Sequence, residues 1–215
     1  MIYIKDDKVE SRKKIIIDLY RQHFGKHLPE NKLYWTMCAD CQKNNKILEK
    51  SELHQIIYSG LIKKEQFRGV DINKNIIKNN KKIKGMKQNF IYGDFYKIMA
   101  SQPFDTQDEN KDDFSPGIVN YDTTKTFEVE KDNIKKIFYM LEPYKSVLFT
   151  FNVVLKGQYV KLNGLKSVKE ISDYIYKQFD FSSYSKNNGW YPKLYKYPYK
   201  GTGPTIMYSV GMIKY

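Results

Sequence analysis

Apolar positions along the chain alternate between two rhythms. From Val9 to Phe24, VESRKKIIIDLYRQHF, the residues Ile16, Leu19, Tyr20 and Phe24 recur at helical spacing, with Gly25 and then Pro29 marking a stop. KLYWTMCA is instead a short run of β-formers and aromatics, which predicts a first strand. KNNKILEKSELHQIIYSGLI returns to the helical period through Leu53, Ile56, Ile57 and Leu61, and QFRGVDIN reads as a second strand. NKNIIKNNKKIKG puts Ile76, Ile77 and Ile83 on one helix face and places Gly85 as its C-cap, before a third strand in QNFIYGDF. Ser101 to Pro116, with two prolines and an acidic cluster, predicts a surface loop leading into a fourth strand, GIVNYD. FEVEKDNIKKIFYMLEPY predicts a helix built on Ile134, Ile137, Phe138 and Leu141 and stopped by Pro143. KSVLFTFNVVL follows as the most apolar strand, one covered on both faces. A helix over SVKEISDYIYKQF and a hairpin of two Tyr-rich segments, WYPKLYKYPY and PTIMYSVGMIKY joined by KGTG, close the chain.

Strands alternating with helices imply right-handed crossovers and a mainly parallel sheet, whose ligand crevice lies beyond the carboxyl ends of its strands. Candidate chemistry is therefore read at those ends: Met37, Cys38 and Ala39 after the first strand, Asp71 and Ile72 after the second, Asp94 and Phe95 after the third, and Asn120, Tyr121, Asp122 and Thr123 after the fourth.

The series YWTMCADC, GVDIN, YGDF and GIVNYDTT, followed by a hairpin, resembles the class I S-adenosylmethionine-dependent methyltransferases over about residues 31 to 215. The resemblance implies an α/β, Rossmann-like fold: a mainly parallel sheet of about seven strands with a C-terminal antiparallel hairpin and helices on both faces. It implies that Asp71, with Ile72 beside it, binds the ribose of the cofactor, since one carboxylate accepts from two vicinal hydroxyls. It further implies that Asp94 takes the adenine amino group with Phe95 flanking the ring, and that Met37, Cys38 and Ala39 face the cofactor. Asn120, Tyr121 and Asp122 would position the methyl acceptor, with Asp122 placed as a base or hydrogen-bond acceptor. Each acid has an alternative structural reading, Asp71 and Asp94 as turn or cap residues and Asp122 as a cap of the next turn. Two departures stand out. The loop after the first strand, MCADCQKNNK, lacks the family's glycines, and NYDTT lacks the prolines of members that methylate amino groups of nucleic acids.

Composition adds a class of partner. The 215 residues carry 37 Lys+Arg against 24 Asp+Glu, a formal charge of +13, which favours polyanions. Arg stands only at positions 12, 21 and 68, so the charge is mostly Lys, which lacks the bidentate fork of Arg. The segment WYPKLYKYPYK interleaves Lys193, Lys196 and Lys200 with Tyr191, Tyr195, Tyr197 and Tyr199. That pattern fits RNA or DNA on a basic, Tyr-rich surface as well as it fits a strand packing its aromatics on a sheet. The length suits one domain over 1–215 with a leading helix in 1–30. No stretch is apolar enough to span a membrane, and no apolar leader is evident, so a cytoplasmic location is expected. The only cysteines, Cys38 and Cys41, admit three readings: a redox dithiol, half of a zinc site with His23 and His27, or small residues beside the cofactor. The rival to an enzyme is a non-catalytic nucleic-acid-binding protein on the same fold.

Overall fold

A computed structural model describes residues 6–101, 115–123, 125–155, 190–200 and 206–215, together with 170, 173, 174 and 177; the side chains of 6, 153–155, 190–200, 206 and 208 fall outside that description. The chain enters through a helical rod made of α1 (Asp6–Arg12), a π-helical stretch (Lys13–Asp18) and α2 (Leu19–Phe24), ended by Gly25 at φ +110°. Three consecutive isoleucines, Ile15, Ile16 and Ile17, are buried in the π stretch.

The main sheet follows with β1 (Lys32–Met37), β2 (Phe67–Asp71), β3 (Phe90–Tyr92), β4 (Ser115–Tyr121), β5 (Val147–Leu155), β6 (Trp190–Lys200) and β7 (Ile206–Lys214). Its seven strands lie in the order β3-β2-β1-β4-β5-β7-β6. β1 to β5 are parallel, and β7 runs antiparallel to both β5 and β6. The chain order reverses beside β1, which makes the carboxyl ends of β1 and β4 the switch point of the sheet.

Because side chains alternate along a strand, each face owns its own core. Leu33, Trp35, Val119, Tyr121, Phe149, Phe151, Val210 and Met212 meet α5 (Phe95–Ala100) and α6 (Phe127–Met140). Tyr34, Phe67, Phe90, Ile118, Leu148 and Ile213 meet the entry helices, α3 (Glu52–Tyr58) and α4 (Lys74–Asn80). Gly211 permits the close approach of the entry helices, since a Cβ there would lie 2.6 Å from Leu19 Cδ2 and 3.4 Å from Ile15 Cγ2.

Three elements differ from the sequence pattern. The helix expected from Lys43 is confined to Glu52–Tyr58, and before it stands a two-stranded ribbon, Gln42–Lys43 with Lys46–Ile47. Its turn residues Asn44 and Asn45 take φ of +52° and +61°, a conformation that asparagine tolerates better than most residues. Gly85 is not the cap of α4, which stops at Asn80 because that side chain is drawn under the turn after β1; Gly85 serves a later turn at φ +77°. Ser115 and Pro116, expected in the loop, already belong to β4, and 102–114 lie outside the described residues, as does most of the helix expected over 167–179. Among the described residues no helix is long and apolar enough to cross a membrane.

Candidate functional site

A cleft of about 140 Å³ opens at the carboxyl ends of β1 to β4, lined by Met37, Asp71, Ile72, Asp94, Phe95, Tyr121 and Thr123 of the sequence-derived candidates. Gly93, Tyr96, Lys125, Glu130 and Asn133 complete much of the wall. The strand ends are tied together by backbone bonds from Cys38 N to Val70 O (3.0 Å) and from Gly93 N to Asp71 O (3.1 Å).

Both carboxylates expected at the cofactor also serve local structure. Asp71 Oδ1 accepts from Asn73 N at 2.7 Å, forming an Asx turn before α4. Partial burial raises its pKa and the nearby Asp40 adds to that, while the Asn73 amide opposes it. Asp94 caps α5, its Oδ1 accepting from Lys97 N at 3.0 Å. In each, Oδ2 has no hydrogen bond among the described residues, so one oxygen remains for a ligand. Ile72 is 73% exposed, an apolar side chain left in water at the rim. Phe95 is buried and its ring tilts against Tyr121 at 5.7 Å.

The alternation of strand side chains divides the fourth-strand candidates. Tyr121 faces the cleft, and its hydroxyl donates to Glu130 Oε2 at 2.5 Å. Burial pushes the Tyr121 phenol up, and Glu130 adds to that shift. Glu130 also accepts from Asn133 Nδ2 (3.0 Å) and pairs with Lys125 Nζ (3.0 Å). Burial works to raise its pKa, but these three donors outweigh it and hold the carboxylate ionised. Glu130, Lys125 and Asn133 were not among the sequence-derived candidates. The signal available for them was a glutamate one helical turn from Asn133 at the start of an otherwise apolar helix face.

Asn120 and Asp122 do not line this cleft; they lie on the opposite face, beneath the entry helix. Asn120 is buried, donating to Glu52 Oε1 (2.9 Å) and Thr36 Oγ1 (3.5 Å) and accepting from Thr150 Oγ1 (2.8 Å). Asp122 Oδ2 pairs with Lys8 Nζ (2.7 Å) and Arg12 Nη2 (3.3 Å), and its Oδ1 accepts from Asn152 Nδ2 (2.6 Å). Ser209 Oγ donates to Asn152 Oδ1 (2.6 Å) and lies 2.5 Å from Ser11 Oγ, while Arg12 Nε stands 3.4 Å from Glu52 Oε2. A row of polar side chains thus crosses β1, β4, β5 and β7 and is matched by Lys8, Ser11 and Arg12 of α1. Burial works to raise the Asp122 pKa, but Lys8 and Arg12 overcome it and hold the carboxyl down to about 2.

Cys38 and Ala39 also fall outside the cleft, on the far side of Met37. With Cys41, Arg12, Ser51 and Glu52 they line a separate space of about 20 Å³, room for roughly one water. Asn80 holds this turn, donating to Ala39 O (2.9 Å) and accepting from Cys41 N (2.9 Å). Burial raises the Cys41 thiol to about 12 and pushes Cys38 up as well, with Cys41 adding to the shift, which disfavours the thiolate a redox dithiol needs. His23 Nδ1 lies 2.5 Å from the Tyr215 hydroxyl and His27 Nδ1 lies 2.6 Å from Gly60 O. Among the described residues no group of three or more His, Cys, Asp or Glu side chains could hold a metal. The side chains of Tyr191, Lys193, Tyr195, Lys196, Tyr197, Tyr199 and Lys200 lie outside the description.

No protein-family model and no curated protein matches the chain. Its fold is similar to that of solved methyltransferases. The plantazolicin methyltransferase BpumL, in complex with a pentazolic desmethylPZN analog and SAH, superposes with a TM-score of 0.51 at 15% identity, covering 98% of this chain and 86% of that one. Geranyl diphosphate C-methyltransferase from Streptomyces coelicolor A3(2), in complex with Mg2+, geranyl diphosphate and S-adenosyl-L-homocysteine, gives 0.50 at 10% identity over 98% and 84%. The class I methyltransferase-like fold implied by the strand-end motifs is therefore present.

Proposed function

We propose that this protein is an S-adenosylmethionine-dependent methyltransferase that acts on nucleic acid. The observation that carries the reading is the gathering of Met37, Asp71, Ile72, Asp94 and Phe95 into one cleft at the switch point of the sheet. The lining fits a nucleoside: Asp71 and Asp94 each keep a carboxylate oxygen for donors of the ligand, and Ile72 offers an apolar surface otherwise left in water. Asp71 would hold the ribose hydroxyls, Asp94 the adenine amino group, and Ile72 and Phe95 the faces of the base. The solved structures of the same fold hold S-adenosylhomocysteine, the demethylated form of the cofactor. S-adenosylmethionine supplies an electrophilic methyl group, so the protein's contribution is to hold the acceptor in line and exclude water. The Tyr121–Glu130–Lys125–Asn133 cluster provides fixed polarity at the inner wall of the cleft. A net charge of +13 favours a polyanionic acceptor over a neutral one.

The test is calorimetric titration of S-adenosylhomocysteine into the purified protein, with Asp71→Ala as control. Micromolar affinity that falls at least tenfold in the variant supports the cofactor site. A wild-type protein that gives no binding heat at 100 µM ligand, roughly a hundred times such a Kd, sinks the enzyme reading. One observation favours the rival: the glycine-free turn after β1 lines a space of about 20 Å³, room for roughly one water. Oligonucleotide binding without any response to S-adenosylhomocysteine would establish the non-catalytic nucleic-acid-binding protein instead.

A further inference from the structure

Between Asp71 and Asp94 the chain carries six lysines, Lys74, Lys78, Lys81, Lys82, Lys84 and Lys87, and no acidic residue. All six are exposed, and none forms an ion pair among the described residues. A solvated lysine face in a protein usually interleaves carboxylates; the Lys14 pairs with Glu10 and Asp18 on the entry helix are this chain's own example. Here the positive charge is uncompensated and concentrated at one edge of the sheet.

The lysines are mounted on a fixed support. Ile83 and Met86 are buried against the core that holds Phe67 and Phe90. The backbone between them is turned by bonds from Ile83 N to Asn80 O (3.0 Å) and Met86 N to Ile83 O (3.1 Å). Asn89 pins the end of the segment by donating to Lys64 O (2.7 Å) and Phe67 O (2.9 Å). Two shallow grooves run over this edge. One is lined by Lys81, Lys87, Gln88, Phe90, Ile91 and Tyr92, the other by Glu65, Arg68, Gly85, Lys87, Gln88 and Asn89. Glu65 is the single acid among their walls.

Tyr92 adds the second kind of contact. Its ring is 50% exposed at the end of β3, with Lys74 Nζ 5.2 Å from the ring centroid. The next two residues, Gly93 and Asp94, line the cleft described above. A groove with cations along its walls and an aromatic face at its end is how proteins hold single-stranded nucleic acid without reading its sequence. We infer that the β3 edge, from Lys74 to Tyr92, is the docking surface for a single-stranded polynucleotide, with phosphates on the lysines, a base on Tyr92, and the strand led toward the Asp94 side of the cleft. The inference rests on the nucleic-acid part of the function proposed above, and not on methyl transfer.

The experiment is fluorescence anisotropy with a labelled 20-nucleotide oligo(U), its oligo(dT) counterpart and a duplex, from 50 to 300 mM salt. Lys78, Lys81, Lys84 and Lys87 are changed together to Gln. A control variant loses the same charge elsewhere, through Gln at the exposed Lys13, Lys26, Lys43 and Lys46. The inference expects the edge variant to lower the salt slope of log K by about 2 to 3, from about 0.7 per phosphate contact, and the control to lower it by less than 1. Tyr92→Leu should weaken single-strand binding about 5- to 100-fold and duplex binding far less. Equal losses in the edge and control variants overturn the surface while leaving a nucleic-acid substrate in place. No binding by wild type at 50 mM salt overturns both, and binding to phosphatidylserine vesicles in its stead assigns the edge to an anionic membrane surface. S-adenosylhomocysteine affinity, measured in the same variants, should stay within twofold of wild type, so a failure of the methyltransferase reading appears separately.

Discussion

Replacing Asp122 with Asn removes one charge from the polar row beneath the entry helix while keeping the shape of the side chain. The Asp122 side chain is 7% exposed and is shared by Lys8 at 2.7 Å, Arg12 at 3.3 Å and Asn152 at 2.6 Å. Burial works to raise its pKa, but Lys8 and Arg12 bring it from 3.8 down to about 2, so the ionised form is favoured in the folded state. Breaking a buried pair costs about 3 to 5 kcal/mol. Lys8, 26% exposed, can return to water and Arg12 keeps Glu52, so the lower end applies. The expected loss is about 3 kcal/mol at pH 7, or roughly 6 to 12 °C in Tm for a chain of this size. Because the folded pKa is depressed, this stability is present above the unfolded value of 3.8 and lost as pH falls through about 2. The gap between wild type and variant should hold from pH 7 to 5 and shrink by roughly half at pH 3. Urea denaturation at each pH measures it, with Asp18→Asn as a surface control. Asp18 meets Lys14 at 3.4 Å with 41% of its side chain exposed, and its loss should cost less than about 0.5 kcal/mol. A gap below 1 kcal/mol at pH 7, or one that does not narrow in acid, would refute the account of Asp122 as the anchor of the entry helix.

Other positions give independent checks. Gly211→Ala would put a Cβ 2.6 Å from Leu19 Cδ2, so it should cost about 1 to 3 kcal/mol in denaturant melts; a neutral effect would mean the entry helix is not seated on β7 as described. Asn80→Ala removes the amide that serves both Cys41 N and Ala39 O, and should cost about 2 to 3 kcal/mol while speeding modification of Cys38 and Cys41 by a thiol reagent. Thiol kinetics identical to wild type would show that the turn after β1 does not depend on Asn80. Phe67→Ala, at a fully buried ring stacked 5.8 Å from Tyr34, should cost about 3 to 5 kcal/mol, and less than 2 would mean that this face of the core is loosely packed.

The order of elements was legible because the two apolar periods are strong here: β1, β2, β4 and β5 each sit where a short β-branched or aromatic run predicted them. Local side-chain chemistry explains the differences. Asn44 and Asn45 accept a left-handed turn, which lets residues 42–47 form a ribbon where a helical period had suggested continuity. Asn80 stands among polar residues in the pattern, yet it is fully buried and ends that helix because its amide is needed at Cys41, four residues past β1. Long-range hydrogen bonding of this kind has no periodic signature in the sequence.

The strand period also divides the candidate site. Asn120, Tyr121 and Asp122 are consecutive, and consecutive side chains on an extended backbone face opposite ways, so all three could not have reached one cleft. Tyr121 reaches it and meets Glu130, while its neighbours serve the entry helix through Glu52, Lys8 and Arg12. The same rule divides Met37 from Cys38 at the end of β1. It follows that substitution at Asn120 or Asp122 reports on folding, and substitution at Tyr121 or Glu130 reports on the cleft. Tyr121→Phe, which leaves Asn133 and Lys125 on the Glu130 carboxylate, should therefore change S-adenosylhomocysteine affinity or turnover by more than it changes stability, with a melt shifted by less than about 2 kcal/mol. Calorimetry and a denaturant melt on this one variant separate the two; a large stability loss with unchanged affinity would place Tyr121 in the fold with its neighbours and leave the cleft to its carboxylates.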